Sequence, residues 1–508
     1  MGQNKDQFKS GVLLSYLTLA ISSLLPFLYT PIVLRILGQN EYGLYSLANT
    51  AIGYLSLLTF GFGSTILRYL SIYRARGEKE QEQKVLGFFL LLYGAIAVLT
   101  LLGGLVIATH ADTIFKRSLS AVELEKIRIL LLLITANAAV TLPIGVLSSV
   151  VMAHEGYLFR KMVDLGTTLL LPCANLTALF LGYASVGMAV ASMIVQIALL
   201  PIYGVYCRRI LRIRPIFARI PGPLLREMVG ISAFVFLGAV VDMLFWSTDK
   251  LLLGMLLGTA AVAVYNIGAT FNSVVMNLSG VIVNLLSPRI TGLVAKDADE
   301  HELTEHFIRV GRLQFLIVAL IVSGFAVFGR SFVRLWAGDE YGDAYWIAIL
   351  TMFPLCIPLI ENTGITILIA QNKHAFRSIV YFVIAVVNVI STALIIPYMG
   401  GIGAALCSGV SYLLGQGLIM NWYYWKKIRL DIPRFWKNIL GMSPVPALML
   451  GSGLLLRRVI HVNSWVEFFG WVLLYSAVYV LGMVFLALNE EEKQLLRSAI
   501  QRLKRKKA

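Results

Sequence analysis

Six ionisable residues stand inside otherwise apolar stretches of this sequence: Arg68, Asp164, Asp242, Asp249, Lys250 and Glu361, with Arg35, Arg309 and Arg312 nearer the ends of such stretches. A charge in an apolar medium is costly unless a partner or a water-filled cavity compensates it, so each is a candidate for function. Two chemistries suit these types. Arginine and lysine can hold an anion, and a guanidinium does so with a planar fork that makes two charge-assisted bonds to one phosphate. Carboxylates can take up H⁺ or Na⁺ and so couple a movement to an ion gradient.

Each residue carries a plainer reading beside that one. Arg68 is either a phosphate ligand facing a cavity or a side chain snorkelling to headgroups, and Arg35 divides the same way, with a gate or exit contact favoured. Asp249 and Lys250 adjoin, so on a helix they point about 100° apart and can each meet a different neighbour. Asp242 is seven residues before Asp249 and shares its helical face, as a cavity wall requires. Asp164 is expected to pair with Arg160 at i−4. Glu361 follows Pro354 and Pro358 and precedes Asn362 and Gly364, a setting that breaks a helix where backbone lines a cavity. Asn266, Asn277 and Asn284, separated by eleven and seven residues, fall near one helical face. They could bind sugar hydroxyls or merely join helices.

Other motifs fail on inspection. His301-Glu-Leu-Thr-Glu305-His306 has Glu where a zinc metalloprotease motif needs its second His, and no Gly-x-x-x-x-Gly-Lys-Ser/Thr is present for nucleotide binding. Cys173, Cys207, Cys356 and Cys407 have no metal-ligand spacing. No enzyme activity and no cofactor is expected.

The elements that must position these residues are membrane helices. The chain has 508 residues, of which 58% are hydrophobic and 14% charged, with a mean hydropathy of +0.79. That is too apolar for a water-soluble core. Apolar runs of about twenty residues recur, the length a helix needs to cross about 30 Å of hydrocarbon. Spans are expected near 11–36, 44–72, 85–109, 129–153, 162–182, 186–206, 229–257, 260–287, 307–332, 345–370, 378–398, 402–424, 438–456 and 465–488. The expected fold is thus an all-α polytopic membrane protein of about fourteen transmembrane helices.

Lysine and arginine mark the side that stays in the cytoplasm. They concentrate in alternate segments: the N-terminus, 74–84, 160–161, 208–226, 289–296, 373–377, 426–437 and the tail 493–507. Both termini are therefore expected to be cytoplasmic. The net charge of +16 follows this distribution, which speaks against nucleic acid as a partner. The tail places Leu495, Leu496, Ile500 and Leu503 among basic residues, the pattern of an amphipathic helix on anionic membrane lipid.

The chain also resembles itself. At an offset of 220, Leu37-Gly38 falls over Leu257-Gly258 and Tyr45 over Tyr265; at 217, Ala153, Phe159 and Arg160 fall over Ala370, Phe376 and Arg377. Six spans separate the copies, so they have the same orientation, as in a parallel repeat about the membrane normal. The expected organisation is a six-helix lobe at 1–206, a basic cytoplasmic linker at 207–228, a second six-helix lobe at 229–424, two additional helices within 425–488 and a tail at 489–508. Two pseudo-symmetric bundles about a central cavity suit alternating access.

Several of these segments resemble the Wzx-type polysaccharide flippases of the multidrug/oligosaccharidyl-lipid/polysaccharide exporter superfamily. They are Arg35-Ile-Leu-Gly38-Gln-Asn-Glu-Tyr-Gly43-Leu-Tyr45, Gly61-Phe-Gly-Ser-Thr-Ile-Leu-Arg68, and Ser247-Thr-Asp249-Lys250-Leu-Leu-Leu-Gly254. The resemblance implies translocation of an undecaprenyl-diphosphate-linked oligosaccharide to the outer leaflet of the cytoplasmic membrane, with a polysaccharide polymerase and glycosyltransferases as associated partners. Lipid II flippases differ in carrying cations midway along their first two spans, where Leu24 to Tyr29 and Tyr54 to Phe60 are uncharged here. Drug antiporters of the superfamily often carry an acid in the first span, and this one has none. An ion-coupled multidrug antiporter, a lipid II flippase and a scaffold for glycan assembly are the competing functions; membrane potential, Na⁺ and H⁺ are the competing drives.

Overall fold

The structure, a computed structural model, describes residues 2–218, 221–296, 299–373, 375–457, 462–490 and 492–494. Nearly all of these are helical and none is in a strand. The expected amphipathic tail helix lies outside the described residues, as does the side chain of Asn284.

Among the described residues, eleven helices are long and apolar enough to cross a membrane, or twelve if Ile432–Met442 and Pro444–Leu456, bent by 41°, form one crossing. Ile21–Thr59 and Ala375–Ile428 have 39 and 54 residues, roughly 60 and 80 Å of helix at ~1.5 Å per residue. Each exceeds one crossing and contains a glycine with left-handed backbone, Gly38 at φ 74° and Gly400 at φ 58°. Counting each as two crossings is what the expectation of about fourteen requires. Large apolar side chains such as Leu28, Leu91, Val98 and Leu473 are exposed, the outward face of a chain that lipid must cover.

The chain divides into two compact units, Met1–Asn266 with Ala393–Gly401, and Ile267–Thr392 with Ile402–Ala508. In the first, Ile66, Leu70, Val85, Leu86, Phe89, Val146 and Val150 form a buried core. In the second, Phe307, Leu368, Met420, Tyr424, Phe435 and Ile439 do so.

The internal repeat is written into the backbone. The helix Ala121–Ala153 is followed by Glu155 at φ 56°, and the helix Asn362–Ala370 by Asn372 at φ 56°. In both, the next amide reaches back over the left-handed residue: Gly156 N–H to Val151 O at 2.9 Å, and Lys373 N–H to Leu368 O at 2.9 Å. Those are 6→1 bonds that close a helix C-terminus. Arg212 at φ 57° and Arg429 at φ 63° recur at the same offset of 217, as Gly182 and Gly400 do at 218.

Candidate functional site

In the first unit the polar side chains gather where a helix is interrupted. Gly222–Trp246 ends at Ser247, and Thr248–Leu256 begins at the next residue. Asp249 is 1% exposed, and the Tyr265 hydroxyl donates to it at 2.5 Å. Lys250 Nζ donates to Asn266 Oδ1 at 2.9 Å, and Asn266 Nδ2 donates to the Tyr42 hydroxyl at 2.8 Å. The hydroxyls of Tyr54 and Thr248 are hydrogen-bonded at 2.7 Å. Asp249 and Lys250 thus diverge around the helix to separate partners, as adjacency requires. The ammonium of Lys250 has three donors, and its hydrogen-bond partner Asn266 is a neutral amide.

A second polar group lies at the turn between the helix Thr248–Leu256 and the helix Thr259–Ala295. Glu123 is the third residue of the helix opened by Ser120: the Ser120 amide and hydroxyl both donate to Glu123 Oε2, at 2.9 and 2.8 Å. That is a capping box, which satisfies amides the helix start leaves unpaired. Thr259 Oγ1 donates to the other oxygen, Oε1, at 2.8 Å. Ser118 Oγ donates to Gly254 O at 2.6 Å. Nearby, Glu41 receives Lys126 Nζ at 2.6 Å and the Ser185 hydroxyl at 2.6 Å.

In the second unit, the prolines do what the sequence suggested. The helix Asp343–Ile360, carrying Pro354 and Pro358, ends at Glu361, and a new helix starts at Asn362. Glu361, however, is 0% exposed. Gln416 Nε2 and Asn421 Nδ2 donate to its two oxygens at 2.9 and 2.7 Å. The Asn421 amide cannot be turned round. Trp436 Nε1, a donor only, gives its proton to Asn421 Oδ1 at 2.8 Å, and the Tyr381 hydroxyl gives its own to Gln416 Oε1. Glu361 sits in a pocket built of donors, enclosed rather than on the open cavity wall expected for it. Asn362 is half-buried beside it.

The remaining candidates scatter. Arg35, Arg68, Asp242 and Asn277 are exposed. Asp242 is exposed and Asp249 buried, and the helix break at Ser247 lies between them. Asp164 pairs with Arg160 at 3.4 Å and Lys161 at 3.7 Å. Arg312, 8% exposed, donates to both oxygens of Glu492 at 2.7 Å and to Ala487 O at 3.0 Å. Sequence reasoning missed Tyr42, Gln416, Asn421, Glu123 and Thr259. Ser120-x-x-Glu123 was legible as a capping box, whereas Gln416 and Asn421 stand in an apolar stretch with no local pattern that ties them to Glu361.

Comparison with known proteins gives this arrangement its setting. The chain is 21% identical over 488 residues, 94% of each chain, to the uncharacterized membrane protein EpsK of Bacillus subtilis (strain 168). It has the fold of a lipid II flippase MurJ in an inward closed conformation, at a TM-score of 0.71 and 12% identity over 94% of this chain and 98% of that one. A Vibrio cholerae MATE transporter, VcmN, matches at a TM-score of 0.58 and 15% identity over 85% and 99% of the two chains. Residues 8–294, more than half of the chain, match the model of the family described as polysaccharide biosynthesis protein. A multi-pass helical membrane protein with the flippase and MATE fold, this chain belongs to the polysaccharide biosynthesis protein family.

Proposed function

We propose that this protein is a flippase that carries an undecaprenyl-diphosphate-linked oligosaccharide from the cytoplasmic to the outer leaflet of the cytoplasmic membrane, with both termini inside. The observation that carries the proposal is the Lys250–Asn266–Tyr42 line, a cation held by a neutral amide inside an apolar bundle of a chain in a polysaccharide family. Two further ammonium donors on Lys250 suit a diphosphate, while amide and phenol groups suit sugar hydroxyls. The prenyl chain stays in lipid. Alternating access exposes the polar set first to one leaflet and then to the other.

For the drive we favour the membrane potential, which contributes roughly 2.3 kcal/mol per elementary charge per 100 mV to moving an anion out of a negative interior. Coupling to Na⁺ or H⁺ through Asp242 or Glu361 is the alternative. Mass spectrometry of lipids copurifying with the protein tests the cargo: a diphosphate-linked glycan supports the reading, and its absence beside an accumulating drug-like cation sinks it. Flipping in liposomes that persists with both acids neutralised and follows an imposed potential rules out ion coupling at those residues.

A further inference from the structure

We infer that Glu123 and Thr259 form a reversible latch that keeps the transport path shut at the end of the bundle away from the basic loops. The inference rests on the flippase reading and on the orientation that the basic loops imply, which puts this end outside.

The two oxygens of Glu123 do different work. Oε2 is committed to the helix cap at Ser120, whereas Oε1 takes the hydroxyl of Thr259. When Thr259 leaves, the carboxylate stays anchored by its cap and water takes the vacated oxygen, since Glu123 is already partly exposed. No buried charge is stranded. Thr259 by contrast is 4% exposed, so release uncovers it.

The seam the latch closes is built for direct backbone contact. A Cβ on Gly43 would lie 1.9 Å from the carbonyl oxygen of Thr259, and one on Gly258 2.7 Å from that of Ser118. Gly258 also has φ 94°, where glycine is favoured. Gly254, whose carbonyl receives Ser118 Oγ, abuts the side chain of Leu47. This turn joins the helix bearing Asp249 and Lys250 to the helix bearing Tyr265 and Asn266. Releasing Thr259 therefore frees the connection between the two halves of the polar set, and holding it keeps the set closed to that face.

Two measurements decide it, both in a background with the four cysteines replaced. In the first, Leu47, 0% exposed, is replaced by Cys and labelled from outside the cell with a membrane-impermeant thiol reagent. Thr259→Val, which deletes the latch hydroxyl and little else, is expected to raise the labelling rate roughly tenfold, the scale of one hydrogen bond to a charged acceptor. An unchanged rate overturns the latch. In the second, Glu123→Cys and Thr259→Cys are bridged with a short bifunctional thiosulfonate. Bridging is expected to stop surface-glycan export and reductant to restore it; export unaffected by bridging overturns the latch. The labelling readout needs no cargo. If Leu47→Cys responds as expected while the native chain, with its four cysteines in place, exports no glycan, the latch stands and the flippase reading fails.

Discussion

The ring of Phe376 stacks on that of Tyr423, with centroids 4.2 Å apart and planes within 12°. Phe159 stacks on Tyr206 at 3.7 Å and 12°, and both members of the second pair lie 217 positions before those of the first. An aromatic pair of this kind stabilises by about 0.5–1.5 kcal/mol beyond the area it buries. The repeat therefore preserves a specific packing contact as well as a helix pattern. Double-mutant cycles to alanine, read by thermal unfolding in detergent, are expected to give couplings of about that size for both pairs. A coupling near zero in either would show that the stack is incidental there.

Lys250 is expected to be more than a space-filler. Lys250→Ala should reduce surface glycan about tenfold or more, the scale of a lost charge-assisted contact, with the protein still inserted. Asn266→Asp is the sharper variant. It offers Lys250 an anion of its own at the position of the 2.9 Å contact and so competes with a diphosphate; export should fall although no charge has been removed from the lysine.

Glu361 is expected to act through its donor pocket. Glu361→Gln sets an NH₂ against one of the amide donors of Gln416 or Asn421; Asn421 cannot turn because the Trp436 donor holds its oxygen, and turning Gln416 gives up the bond that the Tyr381 hydroxyl donates to it. Leaving such a buried donor unpaired costs about 1–3 kcal/mol. A fall in melting temperature for Glu361→Gln, and its partial reversal in Trp436→Phe, where the Asn421 amide is free to turn, would confirm the arrangement. An unchanged melting temperature in Glu361→Gln would refute it.

Arg312 clamps the root of the C-terminal tail through Glu492 and Ala487 O. Removing one member of a buried ion pair costs roughly 3–5 kcal/mol because the other is left uncompensated, whereas replacing both by apolar residues is far milder. Glu492→Ala should accelerate tryptic cleavage within 493–508, and Arg312→Met with Glu492→Leu should lower thermal stability less than Arg312→Ala alone. Limited proteolysis and thermal unfolding read the two effects.

Sequence alone determined the helical class, the membrane setting and the repeat, because each is a property of order along the chain. Apolar run length sets what can span lipid, and a left-handed helix end recurs wherever the local residues that close it recur, as at Glu155 and Asn372. The i−4 partnership of Asp164 with Arg160 was legible for the same reason. Tertiary structure decided which polar groups meet. Lys250 finds Asn266, which in turn finds Tyr42, 224 residues away, and Glu361 is enclosed by Gln416 and Asn421, 55 and 60 residues on. Helical spacing fixes the direction of a side chain on its own helix, but its partner depends on which other helix packs there and at what height. That is set by the fit of whole bundles, glycine seams included, and no local pattern carries it.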